Sequence, residues 1–194
     1  MNPRSLSGPG AVVAHRYKGR SPTLLWTLKG INEMAMELTY RPIGVIRTPF
    51  KEPRGTPIQP TGATGVEGKV EVFPEYSSGL RDLEGFSHVI LLYHFHLAEG
   101  RSLTVRPYMD GDVRGVFATR FPGRPNPIGL SIVRLKGVEG SILRIVDVDI
   151  VDGTPLLDIK PYVPAFDRRE GVRIGWLKDR VGDVSRTRSD GRTV

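Results

Sequence analysis

A mainly β fold, a single domain closed into a barrel with short helical insertions and a mixed C-terminal extension, is what this 194-residue sequence predicts. Three observations carry that expectation. About seven short segments have the composition and alternation of strands, and no stretch sustains a long helical period. Glycine and proline together make 39 of the 194 residues, enough to turn the chain between many short strands. That share stays below the roughly 25–30% at which low-complexity disorder becomes the default. Strands without intervening long helices favour a rolled, closed sheet over a doubly wound α/β fold.

The elements follow in order. Tyr40–Arg47 (YRPIGVIR) reads as the first strand, and Thr48–Pro60 as a proline-rich loop. Val66–Phe73 alternates apolar and polar side chains, as a half-buried strand does. Ser77–Glu84 has the length of one or two helical turns before Gly85. Phe86–Leu97 is the most apolar segment, rich on both faces, and is predicted to be a central buried strand. Gly115–Thr119 reads as a further strand, and Arg120–Gly129 as a loop with three prolines and two glycines. Ser131–Val138 and Ile142–Ile150 are predicted hairpin partners across Glu139-Gly140. Asp152-Gly153-Thr154-Pro155 is a turn signal and Leu156–Tyr162 a last strand, after which a short helix and a tail are expected.

Charge divides the chain differently. The formal net charge is +7, yet residues 33–167 hold 15 bases and 17 acids. The excess sits at the ends: five bases and no acid in residues 1–32, eight bases and four acids in 168–194. Residues 1–37 are therefore expected to be an N-terminal extension, disordered or an over-long start ahead of Met34 and Met36. Residues 38–167 should form the barrel domain, and 168–194 a basic tail. Basic ends of this kind suit polyanions such as nucleic acid. The absence of cysteine excludes disulfide frameworks, thiol catalysis and cysteine-ligated metal sites. The longest apolar run, Val89 to Tyr93, is five residues, far short of a membrane-spanning helix.

Several signals resemble chemistry without supporting it. Gly62–Lys69 (GATGVEGK) looks like a phosphate loop, but its glycine spacing is wrong, Val70 follows the lysine, and Glu67 would repel phosphate. No Gly-rich dinucleotide fingerprint opens a helix. His88, His94 and His96 share one strand face, and His94, His96 and Glu99 offer a metal-dependent reading. No later histidine completes such a set, so no metal is expected.

Two segments remain that are costly to explain as scaffold. In residues 115–131 (GVFATRFPGRPNPIGLS), three prolines lower the entropy lost on ordering, so Arg120, Arg124 and Asn126 are presented in nearly fixed geometry. Guanidinium groups so held suit bidentate capture of a carboxylate or phosphate. In residues 149–162 (DIVDGTPLLDIKPY), the Asp152–Pro155 turn is expected to expose backbone donors and acceptors. Together with IGVIRTPFKEP, IQP at 58–60 and LEGFSHVILLYHFH at 83–96, these segments give a chain that resembles the TsaA-like family, tRNA methyltransferase O and its archaeal relatives, from about Ile43 to Tyr162.

The resemblance implies a cytoplasmic, S-adenosylmethionine-dependent enzyme on a β-barrel, a homodimer with cofactor near the subunit interface. It also implies methylation at N6 of threonylcarbamoyladenosine beside the tRNA anticodon. Carried over motif by motif, the cofactor site comprises Pro57, Ile58, Gln59, His96, Leu97, Arg120, Leu130, Asp152, Gly153, Thr154 and Pro155. Bacterial members show Arg-Gln where this chain has Ile58-Gln59, and His-Gln where it has His96-Leu97. His96, with an ordinary pKa of about 6.5, is a candidate proton acceptor, and Arg120 the group for the cofactor carboxylate or substrate charge. Candidate phosphate contacts for tRNA are Lys51, Arg54, Arg101, Arg106, Arg124, Asn126 and Lys160. The competing reading from another class is a non-catalytic module that binds S-adenosylmethionine or a nucleotide.

Overall fold

The computed structural model describes residues 38–192, so the predicted extension 1–37 lies outside the described residues. Six strands close a barrel in the order β1 (Gly44–Arg47), β2 (Glu67–Val72), β7 (Ile142–Val146), β6 (Ile128–Glu139), β3 (His88–His94) and β8 (Thr154–Pro161), and β8 returns to β1. Every neighbouring pair is antiparallel. Two short strands, β4 (Thr104–Val105) and β5 (Arg114–Gly115), form a ribbon apart from it. Among the described residues helical structure is limited to the single-turn α1 (Pro164–Asp167) and short 3-10 turns, of which Pro74–Leu80 and Leu83–Gly85 overlap the residues 77–84 where helical turns are expected.

Alternation builds the core. Along β6 the positions of Gly129, Ser131, Val133 and Leu135 face inward while Ile128, Leu130, Ile132 and Arg134 face outward. Ile46, Val70, Val89, Leu91, Leu143, Ile145 and Leu156 fill the barrel with them. A small barrel filled this way is a packed core rather than a channel.

Several expected strands differ in extent: the first begins only at Gly44, β6 starts three residues early at Ile128, and three others differ more. Residues 115–119 do not continue as a strand: after β5 the chain turns through Val116–Ala118 as a 3-10 element. Val116 turns in to pack with Val105 and Phe121, leaving Phe117 outside, a satellite core that overrides the apolar run. The strand expected to reach Ile150 stops at Val146, because Asp147 takes a left-handed backbone (φ +69°). Its carboxylate accepts the Gly65 N–H at 2.7 Å in place of a ladder bond. The strand expected over Phe86–Leu97 covers only His88–His94, and its outer face is half-buried rather than enclosed.

Candidate active site

The antiparallel order gives the barrel two unlike ends. At one end stand the last residues of β1, β3 and β7 and the first residues of β2, β6 and β8. The loops 48–66, 95–127 and 147–153 therefore all emerge there. They carry Pro57, Ile58, Gln59, His96, Leu97, Arg120, Asp152 and Gly153, with Leu130, Thr154 and Pro155 on the adjoining strand ends. The far end bears the β6–β7 hairpin and the 3-10 turns of residues 74–85, beside a groove of about 540 Å³ lined by Ile43, Tyr76, Leu83 and Phe86.

Arg120 and Gln59 connect two of these loops: the Arg120 guanidinium donates to Gln59 Oε1 at 2.7 Å. Each is held from beside it. Pro57 is buried under the first loop, and Phe121, next to Arg120, is buried in the satellite core with Tyr108 against its ring. Thr119 Oγ1 donates to Val116 O and accepts the Phe121 N–H, so hydroxyl and backbone fix the bend at Arg120. Arg124 donates to Thr119 O at 3.4 Å, and Asn126 O accepts the Ile128 N–H at 2.7 Å. Arg124 thus braces the loop from within, while Arg120 stays exposed with its charge outward.

The Asp152 turn is organised differently from the sequence expectation. Its donors are engaged: Asp152 N–H reaches Phe50 O at 2.7 Å and Gly153 N–H reaches Ile46 O at 2.9 Å. Gly153 supplies the positive φ (+77°) that the bend needs. The Asp152 carboxylate accepts the Thr48 N–H at 3.0 Å and the Lys51 ammonium at 2.9 Å, tying the turn to the 48–60 loop. Burial alone would raise its pKa, but the Lys51 and Thr48 bonds outweigh that and hold it below the ordinary value.

His96 lies beyond the end of β3, against this turn. The Thr154 hydroxyl donates to Val151 O at 2.7 Å, so towards His96 Nδ1, at 3.3 Å, it acts as acceptor. The Nδ1–H tautomer is the one that satisfies both Thr154 contacts at once, with the ring lone pair then on Nε2. His94 is on the outer wall, where partial burial and then the charge of Arg101 lower its pKa below the ordinary value. Among the described residues no group of three or more His, Asp or Glu is arranged to hold a metal ion, so His94, His96 and Glu99 do not form the metal set weighed from sequence.

One member of this barrel end escapes sequence reasoning. Asp149 Oδ1 accepts the Ser131 hydroxyl at 2.6 Å, and Ser131 meets the Tyr93 hydroxyl at 3.0 Å. Tyr93 and Ser131 are buried, 4% and 1% exposed, whereas Asp149 is only half-buried. Burial pushes the Asp149 carboxyl up to about 6, against the Ser131 hydrogen bond, its own backbone and the charge of Arg120. Tyr93 is pushed upward by burial and then by the Asp149 charge. Gly129 makes room for this chain of hydroxyls, since a Cβ there would stand 2.2 Å from the Tyr93 ring.

The candidate phosphate contacts are scattered. Lys51 is paired with Asp152, Arg106 donates to Gly111 O, and Lys160 is paired with Asp158 towards the far end of β8. Arg54 and Arg101 are exposed on loops of the motif end. The segment read as a basic tail makes specific contacts over its described part. Gly55 N–H donates to Ser189 O and Ser189 N–H to Thr56 O, while Trp176 Nε1 donates to Ala118 O at 2.8 Å. Arg180 and Arg114 both pair with Asp110, and Tyr108 donates to Arg192 O. This segment thereby touches the Gln59 loop and the Arg120 loop together.

Comparison with known proteins gives this barrel end a context. The chain is 61% identical over 159 residues to a Pyrococcus abyssi protein named as a probable S-adenosyl-L-methionine-binding protein, covering 82% of this chain and 86% of that one. It is 44% identical over 135 residues to the tRNA (adenine(37)-N6)-methyltransferase of Escherichia coli, covering 64% of this chain and 57% of that enzyme. A crystal structure of TrmO superposes with a TM-score of 0.63 at 45% identity, over 72% of this chain and 64% of that one. Residues 45–168, well over half of the chain, match the tRNA-methyltransferase O N-terminal domain, with all three motif-bearing loops inside the match, and the chain belongs to that family.

Proposed function

We propose that this protein transfers a methyl group from S-adenosylmethionine to N6 of the adenosine next to the tRNA anticodon, with threonylcarbamoyladenosine as the target nucleoside. The observation that carries the reading is the convergence of Gln59, Arg120, His96 and the Asp152 turn on one barrel end, in a family whose E. coli relative is named tRNA (adenine(37)-N6)-methyltransferase.

The residues fit the cofactor's chemistry. Arg120, exposed and braced, offers a guanidinium for its carboxylate. Leu97 and Leu130, 44% and 42% exposed, offer apolar contact for its adenine. His96 and Thr154 line the same end and supply a fixed polar edge. When bound, the sulfonium supplies an already activated methyl group, so the protein's own task is to bind, align and exclude water. The proline-stiffened Arg120 loop serves alignment, since its geometry is fixed before anything binds.

A second copy of the chain belongs to this reading. The outer faces of β3 and β6 place Ile90, Leu92, Ile128, Leu130 and Ile132 side by side, an apolar wall with no covering element among the described residues. It runs into the site through Leu130. A homodimer packed on this wall would place each cofactor site at the subunit boundary. The test is methyl transfer from labelled S-adenosylmethionine to tRNA from cells lacking the modification. Labelled N6-methyl-threonylcarbamoyladenosine in the digest supports the reading, whereas cofactor binding without transfer favours the non-catalytic module.

A further inference from the structure

Resting on that reading, we propose that Asp149 is the group that takes the N6 proton as the methyl group is transferred, with Ser131 and Tyr93 as its positioning residues.

The geometry is that of an oriented acceptor. The hydroxyls run from inside the barrel outward, Tyr93 to Ser131 to Asp149, at 3.0 and 2.6 Å, and end on the one member that solvent reaches. Among the described residues Asp149 has no ion-pair partner within 4.0 Å, unlike Asp110, Asp147, Asp152 and Asp158. The charge that acts on it is Arg120, from the loop that Gln59 holds. Carboxylate and guanidinium are thus near enough to act on one another at the barrel end that bears the motif loops. Asp152 is unsuited to the task because Lys51 and Thr48 occupy its oxygens. His96 is bonded to Thr154 through Nδ1, and the His96→Gln variant separates it from Asp149 as the acceptor.

The chemistry needs such a group. N6 in the proposed target is bonded to a carbonyl carbon, which withdraws its lone pair. As N6 gives that pair to the methyl carbon, the carbon–sulfur bond breaks with its electrons left on the neutral thioether. The N–H proton passes to the Asp149 carboxylate, so charge balances without an external base. A base works best when its pKa lies near the working pH, and burial moves Asp149 from the ordinary carboxylate range to about 6. The groups facing it are Ser131 from β6, Tyr93 from β3 by way of Ser131, and Arg120 from its loop.

The experiment compares the full-length protein with Asp149→Asn and His96→Gln. S-adenosylmethionine affinity is measured by calorimetry, kcat and KM for tRNA across pH, and carboxyl titration by carbon-13 NMR. The expected result for Asp149→Asn is unchanged cofactor affinity and a kcat lower by about 100-fold or more, with KM little changed. In the unaltered protein kcat falls on acidification with a midpoint near 6, and one carboxyl resonance that the variant lacks titrates there. Asp149→Asn turning over at the normal rate overturns the inference, as does loss of cofactor affinity in that variant, or His96→Gln abolishing kcat while Asp149→Asn does not. If the unaltered protein methylates no tRNA, the functional reading fails and this inference with it; a failure confined to the variants leaves the functional reading standing.

Discussion

Arg120 donates to Gln59 across 61 residues of sequence, and this 2.7 Å bond is where two loops of the barrel end meet. A hydrogen bond to a charged group contributes about 1.5–3 kcal/mol when both partners are held. Arg120→Ala should therefore weaken S-adenosylmethionine binding by roughly 10–100-fold if the guanidinium also meets the cofactor carboxylate. Gln59→Ala, which leaves that charge in place, should have a smaller effect. Both variants remove the same loop-to-loop bond, so they should lower the melting temperature by similar amounts while differing in binding. Calorimetric titration beside thermal unfolding checks the pair.

Gly129→Ala is expected to be far more damaging than its size suggests. Its Cβ would stand 2.2 Å from Cε2 of Tyr93, inside a packed barrel. Overpacking of this kind costs about 1–3 kcal/mol, and the phenol would be driven off Ser131. Denaturant unfolding should show a lower midpoint. Gly129→Ala paired with Tyr93→Leu should recover much of it.

Asp149 and Asp152 should pull stability in opposite directions with pH. Asp149 has a folded pKa of about 6 against an ordinary 3.8, so the fold binds its proton more tightly than the unfolded chain does. Its contribution is fully present below about pH 4 and lost as pH rises through about 6, on the order of 3 kcal/mol. Asp152, held below its ordinary value, is favourable at neutral pH and loses its contribution as pH falls through its folded value. Asp149→Asn should accordingly unfold at a higher temperature than the parent at pH 8, with the difference shrinking towards pH 4. A variant no more stable at pH 8 would contradict the raised pKa.

Asp110 joins Arg114 and Arg180, and so couples the satellite ribbon to residues 175–192. Asp110→Asn should loosen that segment and leave the barrel strands unaffected. Hydrogen exchange should quicken over residues 104–121 and 175–192, while β3 and β6 keep their protection.

Ile132→Glu tests the proposed dimer wall. Ile132 stands on the outer face of β6, 37% exposed and paired with Ile90. A carboxylate there should shift the protein to a monomer in sedimentation and leave the isolated barrel folded. A dimer unaffected by it would move the interface elsewhere.

The sequence was readable where a pattern repeats locally. Alternation located β2, the Glu139-Gly140 turn located the β6–β7 hairpin, and the Gly-Pro clusters marked the loops that bear Gln59, Arg120 and Asp152. It was misleading where a single residue decides. Asp147 ends β7 through its backbone angle, and Val116 turns inward against the run that surrounds it. Asp149 was passed over because Asp147, Asp149 and Asp152 look alike in DVDIVDG, and only barrel closure sets one of them against Ser131. The contacts of Trp176 and Ser189 could not be read either, since each is a point contact with a residue 58 or more positions earlier.

Because the loops that carry the candidate site leave from one rim, the opposite rim offers, among the described residues, a place for handling the molecule. Gly140 takes a left-handed bend (φ +60°) at the tip of the β6–β7 hairpin, with open space around it. A fluorophore, affinity handle or fused domain inserted between Gly140 and Ser141 would project away from RNA docked at the rim proposed to carry the site. Such a chimera could be tethered to a surface with its working face towards solution.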